Sequence, residues 1–113
     1  MNHKTVRVRQ VALPLIFCLV NFSGPLWAQG DGANQFKAKC VVCHGADGSG
    51  NTAVGKSMKL RDLGSSDVQK ETDQELTTII TSGKGAMPSY KDKLTADQIK
   101  QLVAFIRQLA KKA

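Results

Sequence analysis

The sequence is poor in the residues that catalysis and large cores draw on. Its 113 residues hold two histidines, three cysteines, three prolines, one tryptophan and one tyrosine, and aromatics make up only 5% of the chain. No apolar run approaches the roughly 20 residues that a helix needs to span a bilayer. The longest, Val11 to Val20 in "VALPLIFCLV", has ten residues and is broken by Pro14, which argues against a membrane anchor. Strand-like alternation, internal repeats and a domain linker are also missing, so the chain reads as one small all-α domain.

Acidic residues are scarce too: 9 Asp and Glu face 16 Lys and Arg, for a formal charge of +7. Part of that excess lies at the N-terminus, where "NHKTVRVR" carries Lys4, Arg7 and Arg9 ahead of the apolar run, with the turn-forming "NFSGPLWAQ" behind it. This is the pattern of a secretory signal peptide over residues 1–28, and it predicts a periplasmic or secreted product. The arginines are not adjacent, against a twin-arginine signal. Bulky Phe17 before Cys18 argues against a lipoprotein. Cleavage after Ala28 leaves Leu26 where a small residue is usual.

Removing 28 of the 113 residues leaves 85 over 29–113, with one histidine, two cysteines and 13 basic residues against 9 acidic. An exported chain with few aromatics and no basic stripe does not match a nucleic-acid binder. A domain this small is near the limit for a self-supporting core, so a disulfide, metal or cofactor is expected to supplement it.

Three helices stand out. "DGANQFKAKCVVC", Asp31 to Cys43, reads as a helix capped by Asp31, with Phe36 and Cys40 on one face. "TDQELTTIITSG" has a capping box of Thr72 and Glu75, an apolar face of Leu76, Ile79 and Ile80, and Gly83 at its end. The last helix is capped by Thr95 and Gln98, Leu94 staples onto Ile99, and the stripe continues through Leu102, Val103, Ile106 and Leu109. Lys111 and Lys112 suit its C-terminus. Between the first two, "HGADGSGNTAVGKSMKL" reads as a long loop, since four of its seventeen residues are glycine; "SSDVQK" is a single helical turn. A calcium loop over "DGSGNT" is excluded because Thr52 and Met58 stand where glycine and glutamate are required.

Within "AKCVVCHGADG", Cys40, Cys43 and His44 share one turn of chain. A structural zinc site needs four ligands and the exported chain offers three. A thioredoxin-like dithiol lacks its βαβ setting, and an inert disulfide leaves the histidine unexplained. Covalent c-type haem attachment, for which CxxCH is the signature, accounts for all three residues. Each thiol adds across one porphyrin vinyl group and His44 reaches the iron. One haem c then completes the core.

With no second histidine in the exported chain, the sixth iron position falls to a methionine or stays open. Met87, in "GKGAMPSY", has glycines that permit close approach and Pro88 fixing the backbone behind it. Met58, in "GKSMKL", reads as a packing residue.

These features together, CxxCH, a Met-Pro pair about forty residues later and an amphipathic last helix, resemble the class I monohaem cytochromes c, above all the small soluble bacterial and algal electron carriers. The resemblance covers residues 30–110. It implies a small helical domain wrapped around one haem, with Cys40 and Cys43 as thioethers, His44 as proximal and Met87 as distal iron ligand. It also implies that Gly32 and Phe36 of the first helix cross Leu102 and Phe105 of the last. One departure is that residues 45–57 contain no proline to orient the proximal histidine, so another backbone carbonyl is expected to do it.

Several residues keep two readings. Tyr90 either bonds near the haem or packs with a wet hydroxyl. Arg61 either meets a haem propionate or is solvated. Lys37, Lys39, Lys56, Lys59, Lys84, Lys91 and Lys93 either ring the haem edge and steer an acidic redox partner or form ordinary solvated faces. The function expected is a monomeric extracytoplasmic electron carrier, not an enzyme, that docks to larger redox proteins. The alternatives are a haem subunit of a periplasmic dehydrogenase or oxidase, and a ligand-binding haem sensor.

Overall fold

The computed structural model describes residues 29–111. The signal-peptide reading of 1–28 and the role given to Lys112 lie outside them. Six helical segments follow in order: α1 Gln29–Lys39, α2 Val41–His44, α3 Ala53–Ser57, α4 Ser66–Gln69, α5 Asp73–Ser82 and α6 Ala96–Gln108. Three are long and three are single turns, so the all-α expectation holds. Among the described residues the only β-type pairing is an isolated bridge between Lys84 and Met87.

α5 and α6 form where their capping boxes predict. Thr72 accepts from the Glu75 amide while Glu75 bonds back to the Thr72 amide, and Thr95 and Gln98 do the same for α6. These reciprocal bonds satisfy amides that a helix start otherwise leaves open. Gly83 ends α5 with φ of 76°, a left-handed value that a side chain resists. The apolar faces then meet: Leu76 and Ile80 from α5, and Ile99, Leu102, Val103 and Ile106 from α6, are buried with Leu94, Phe36 and Val68.

The first helix differs from its sequence reading at both ends. It begins at Gln29, so Asp31 lies inside its first turn, where a negative charge suits the helix dipole, rather than capping it. It stops at Lys39, and Cys40 caps a separate turn, α2. The amide of Cys40 still bonds the Phe36 carbonyl at 2.8 Å, so the helical hydrogen bonding of α1 extends to Cys40.

α1 packs on α6 through a small residue. A Cβ at Gly32 would collide with the Gln101 carbonyl oxygen and press on Phe105; glycine is what allows the two backbones to approach. One turn on, Phe36 stacks at a tilt on Phe105 with ring centroids 5.1 Å apart. The predicted crossing is present, its closest point falling on Gln101 beside Leu102. The long loop after α2 is also more ordered than its glycines suggest, since Thr52 caps α3 inside it by accepting from the Gly55 amide at 2.8 Å.

Further ties close the domain around α6. Arg107 donates to Asp73 at 2.9 Å and to the Gln69 and Glu71 carbonyls. Lys111, just past α6, pairs with Asp62 and its amide donates to the Gly64 carbonyl at 3.1 Å. No helix of the described residues is long and apolar enough to cross a membrane.

Candidate haem site

The buried face shared by α5 and α6 opens into a cleft of about 240 Å³. Leu76, Ile80, Leu94, Leu102 and Ile106 belong both to the core and to this cleft wall. Cys40 and the α2 residues Cys43 and His44 line it, as do Met87, Pro88 and Tyr90 from the loop after α5. All four residues singled out from the sequence therefore line one cavity.

Each is held by local chemistry. Cys40 is the joint between α1 and α2, and the amides of Cys43 and His44 both donate to its carbonyl, at 3.2 and 2.9 Å. The loop that follows folds back on the end of α2: the Thr52 hydroxyl donates to the Cys43 carbonyl at 2.7 Å and the Gly50 amide to the His44 carbonyl at 2.7 Å. The helix end that carries the histidine is thus stitched down by its own loop. Met87 is half-buried, and its amide and carbonyl pair with the carbonyl and amide of Lys84 at 3.0 and 3.1 Å. Ser89 and Lys91 anchor the same loop to the Thr81 carbonyl at the end of α5.

Cys40 and Cys43 are not joined to each other in a disulfide. Burial, with Cys43 alongside, pushes the Cys40 thiol up to about 11 against the weaker pull of Lys39, so it is protonated at neutral pH. Burial lowers the His44 pKa, which keeps the imidazole neutral, the form that offers a lone pair to a metal. Phe36 lies beside it, with ring centroids 6.4 Å apart.

Two expectations need correction. His44 Nδ1 is buried without a hydrogen-bond partner, so no carbonyl of the proline-free loop orients the ring; the nearby loop groups pair instead with the backbone of Cys43 and His44. Met58 is not a packing residue, being 49% exposed, yet it too lines the cleft. Its neighbour Lys59, at φ of 53°, is the described non-glycine residue with a left-handed backbone.

Four cations, Lys39, Lys59, Arg61 and Lys84, line the cleft, and no acidic side chain does. Lys37, Lys56, Lys91 and Lys93 are exposed but do not line it. Arg61 pairs with Glu71 at 2.6 Å, so it is neither simply solvated nor uncommitted. That acidic partner lies 10 residues further along the chain, where charge counting over neighbouring positions does not find it.

Comparison with known proteins decides the family. Residues 28–106 match the family described as cytochrome c oxidase, cbb3-type, subunit III. Cytochrome c6 of Leptolyngbya boryana is 35% identical over 81 residues, covering 72% of this chain and 92% of that protein. The cytochrome c6 of Gloeothece citriformis is 34% identical over 110 residues, with 93% and 94% covered. Among solved structures, the KustC0563 c-type cytochrome superposes with a TM-score of 0.67 at 31% identity, covering 72% of this chain and 99% of that one. The chain belongs to the class I monohaem cytochromes c.

As such it carries one covalently bound haem c and is a small haem electron carrier, not an enzyme. The residues present fit that cofactor. The cleft is lined mostly by apolar side chains with four cations, and the Cys40 and Cys43 side chains, the half-buried imidazole of His44 with its unpartnered Nδ1, and the half-buried thioether of Met87 all line it. Apolar surface suits a porphyrin face, and cations suit its two carboxylates.

Proposed function

We propose that this cytochrome is a monomeric, extracytoplasmic electron carrier, exported behind residues 1–28, with the haem joined through Cys40 and Cys43 and its iron held by His44 and Met87. The observation that carries the reading is the meeting of these four side chains in one apolar cleft. When bound, the haem supplies an iron that cycles between ferrous and ferric states. The chain's own residues do the rest. Cys40 and Cys43 would hold the haem as thioethers, each S–H added across one vinyl double bond so that the sulfur hydrogen ends on carbon. The half-buried His44 stays neutral, and the Lys84 pairing of Met87 fixes where its sulfur can reach. A thioether ligand raises the reduction potential, and the apolar wall of α5 and α6 excludes water from the ring.

Lys39, Lys59 and Lys84 surround the cleft with positive charge, which supports a partner with an acidic docking face. Exposed Met58, which also lines the cleft, supplies apolar contact beside that charge. Transient electron-transfer encounters bury little surface, below about 1,200 Å². The partners are larger redox proteins.

The deciding experiment is visible absorption of the exported protein. Haem resistant to acid extraction, together with a near-red sulfur-to-iron band in the ferric form that disappears in Met87→Ala, is the expected result. Acid-extractable haem overturns the thioethers, and a band that survives Met87→Ala overturns that ligand.

A second reading, a haem subunit lodged in a dehydrogenase or oxidase, is favoured by the oxidase-subunit name of the matching family and by the 75% exposure of Val42. Sedimentation of the native protein separates the two: a single species of the exported chain's own mass supports the free carrier.

A further inference from the structure

Tyr90 holds two parts of the molecule at once. Its amide donates to the Ile80 carbonyl of α5 at 3.1 Å, and its hydroxyl donates to the Lys39 carbonyl at 3.2 Å, 51 positions away in sequence. Lys39 is the last residue of α1 and directly precedes Cys40. The other fixings of the Met87 loop described above run within the loop, to Lys84, or back to α5, to Ile80 and Thr81. The Tyr90 hydroxyl is the one that reaches α1. The Lys93 ammonium sits 5.5 Å from the centroid of the Tyr90 ring, a cation–π distance that favours this placement of the ring.

We propose that Tyr90 is a positioning residue whose hydroxyl straps the Met87 loop to the haem-attachment segment and so keeps the Met87 thioether on the iron against competing ligands. This rests on the assignment of Met87 as the distal ligand. The strap works through loop geometry alone: without it, the loop is held by its own bonds, by α5 and by its run into α6 through buried Leu94, and displacing the sulfur no longer costs a hydrogen bond to α1. Burial raises the Tyr90 pKa, so the hydroxyl remains a donor well into alkaline solution.

The test uses the intact ferric holoprotein with imidazole as the competing ligand, in wild type, Tyr90→Phe, Met87→Ala and Arg107→Gln. Phenylalanine keeps the ring and removes only the donor; Arg107→Gln loosens the α6 clamp without touching the Met87 loop. The expected result is a near-red band in wild type and Tyr90→Phe and none in Met87→Ala. Imidazole affinity should rise roughly threefold in Tyr90→Phe, the scale of one partly exposed hydrogen bond, and stay at the wild-type value in Arg107→Gln. Loss of the band in Met87→Ala with unchanged imidazole affinity in Tyr90→Phe overturns the strap and leaves the ligand in place. An equal rise in Arg107→Gln shows general loosening and also overturns the strap. A band that persists in Met87→Ala removes the ligand assignment itself.

Discussion

Of the two methionines in the cleft, the sequence distinguishes Met87 by its neighbours, and the structure gives those neighbours physical form. Gly83 ends α5, Lys84 pairs with Met87, and Pro88 follows. Met58 was legible only as a hydrophobe, because nothing in "GKSMKL" shows which way an isolated apolar residue in a glycine-bearing stretch will face. The unpaired Nδ1 of His44 was equally hidden, since a hydrogen bond to a loop carbonyl depends on loop geometry that sequence spacing does not fix. Replacing both Cys40 and Cys43 by serine should abolish covalent haem retention, and the single changes should reduce it; pigment on a denaturing gel measures this directly. Unchanged retention in the double variant rules out thioether attachment.

Also at this scale, Lys111 holds the Asp62 carboxyl below the usual carboxylate range, helped by the Gly64 amide. A lowered folded pKa stabilises the native state above the unfolded value, near ~4, and that contribution fades as pH falls through the lowered pKa. Asp62→Asn should therefore be less stable than wild type at neutral pH, with the gap closing below about pH 4 in acid-denaturation curves. A gap that stays constant with pH contradicts the assignment. The pair is largely exposed on the lysine side, so the effect should be small and should weaken in salt.

Among the helices, legibility followed the caps. α5 and α6 announce themselves because capping residues and an apolar stripe agree. α1 has no such stripe. Its packing rests on Gly32, whose value is the absence of a side chain, and on Phe36, so periodicity places it poorly: a cap at Asp31 puts the first helical residue at Gly32, whereas the helix begins at Gln29. α3 is hidden in the sequence because its Thr52 cap sits among glycines that read as loop. Thr95→Ala should cost about 1 kcal/mol, the usual worth of an N-cap, measured by chemical denaturation of the holoprotein. Gly32→Val should cost more, at least about 2 kcal/mol, because the collision is with backbone that cannot yield without moving α6. A neutral Gly32→Val would contradict the close crossing.

For the molecule as a whole, charge is distributed to serve docking. Four cations and no acidic side chain line the cleft, while Asp62 and Asp73 are occupied in ion pairs with Lys111 and Arg107, which do not line it, and Glu71 pairs with cleft-lining Arg61. Association with an acidic redox partner should slow as ionic strength rises, and Lys39→Gln with Lys84→Gln should flatten that dependence. Stopped-flow rates across a salt series measure both; a rate indifferent to salt contradicts steering.

Core and cleft are one surface here, since Leu76, Ile80, Leu94, Leu102 and Ile106 serve both. A chain that never acquires its pigment is left with an unfilled cleft along those side chains and with too small an interior to hold its helices in place. Such a chain is open to proteolysis, so the population that survives export should contain one iron per polypeptide: degradation, rather than any separate sorting step, would keep colourless copies from competing for partners.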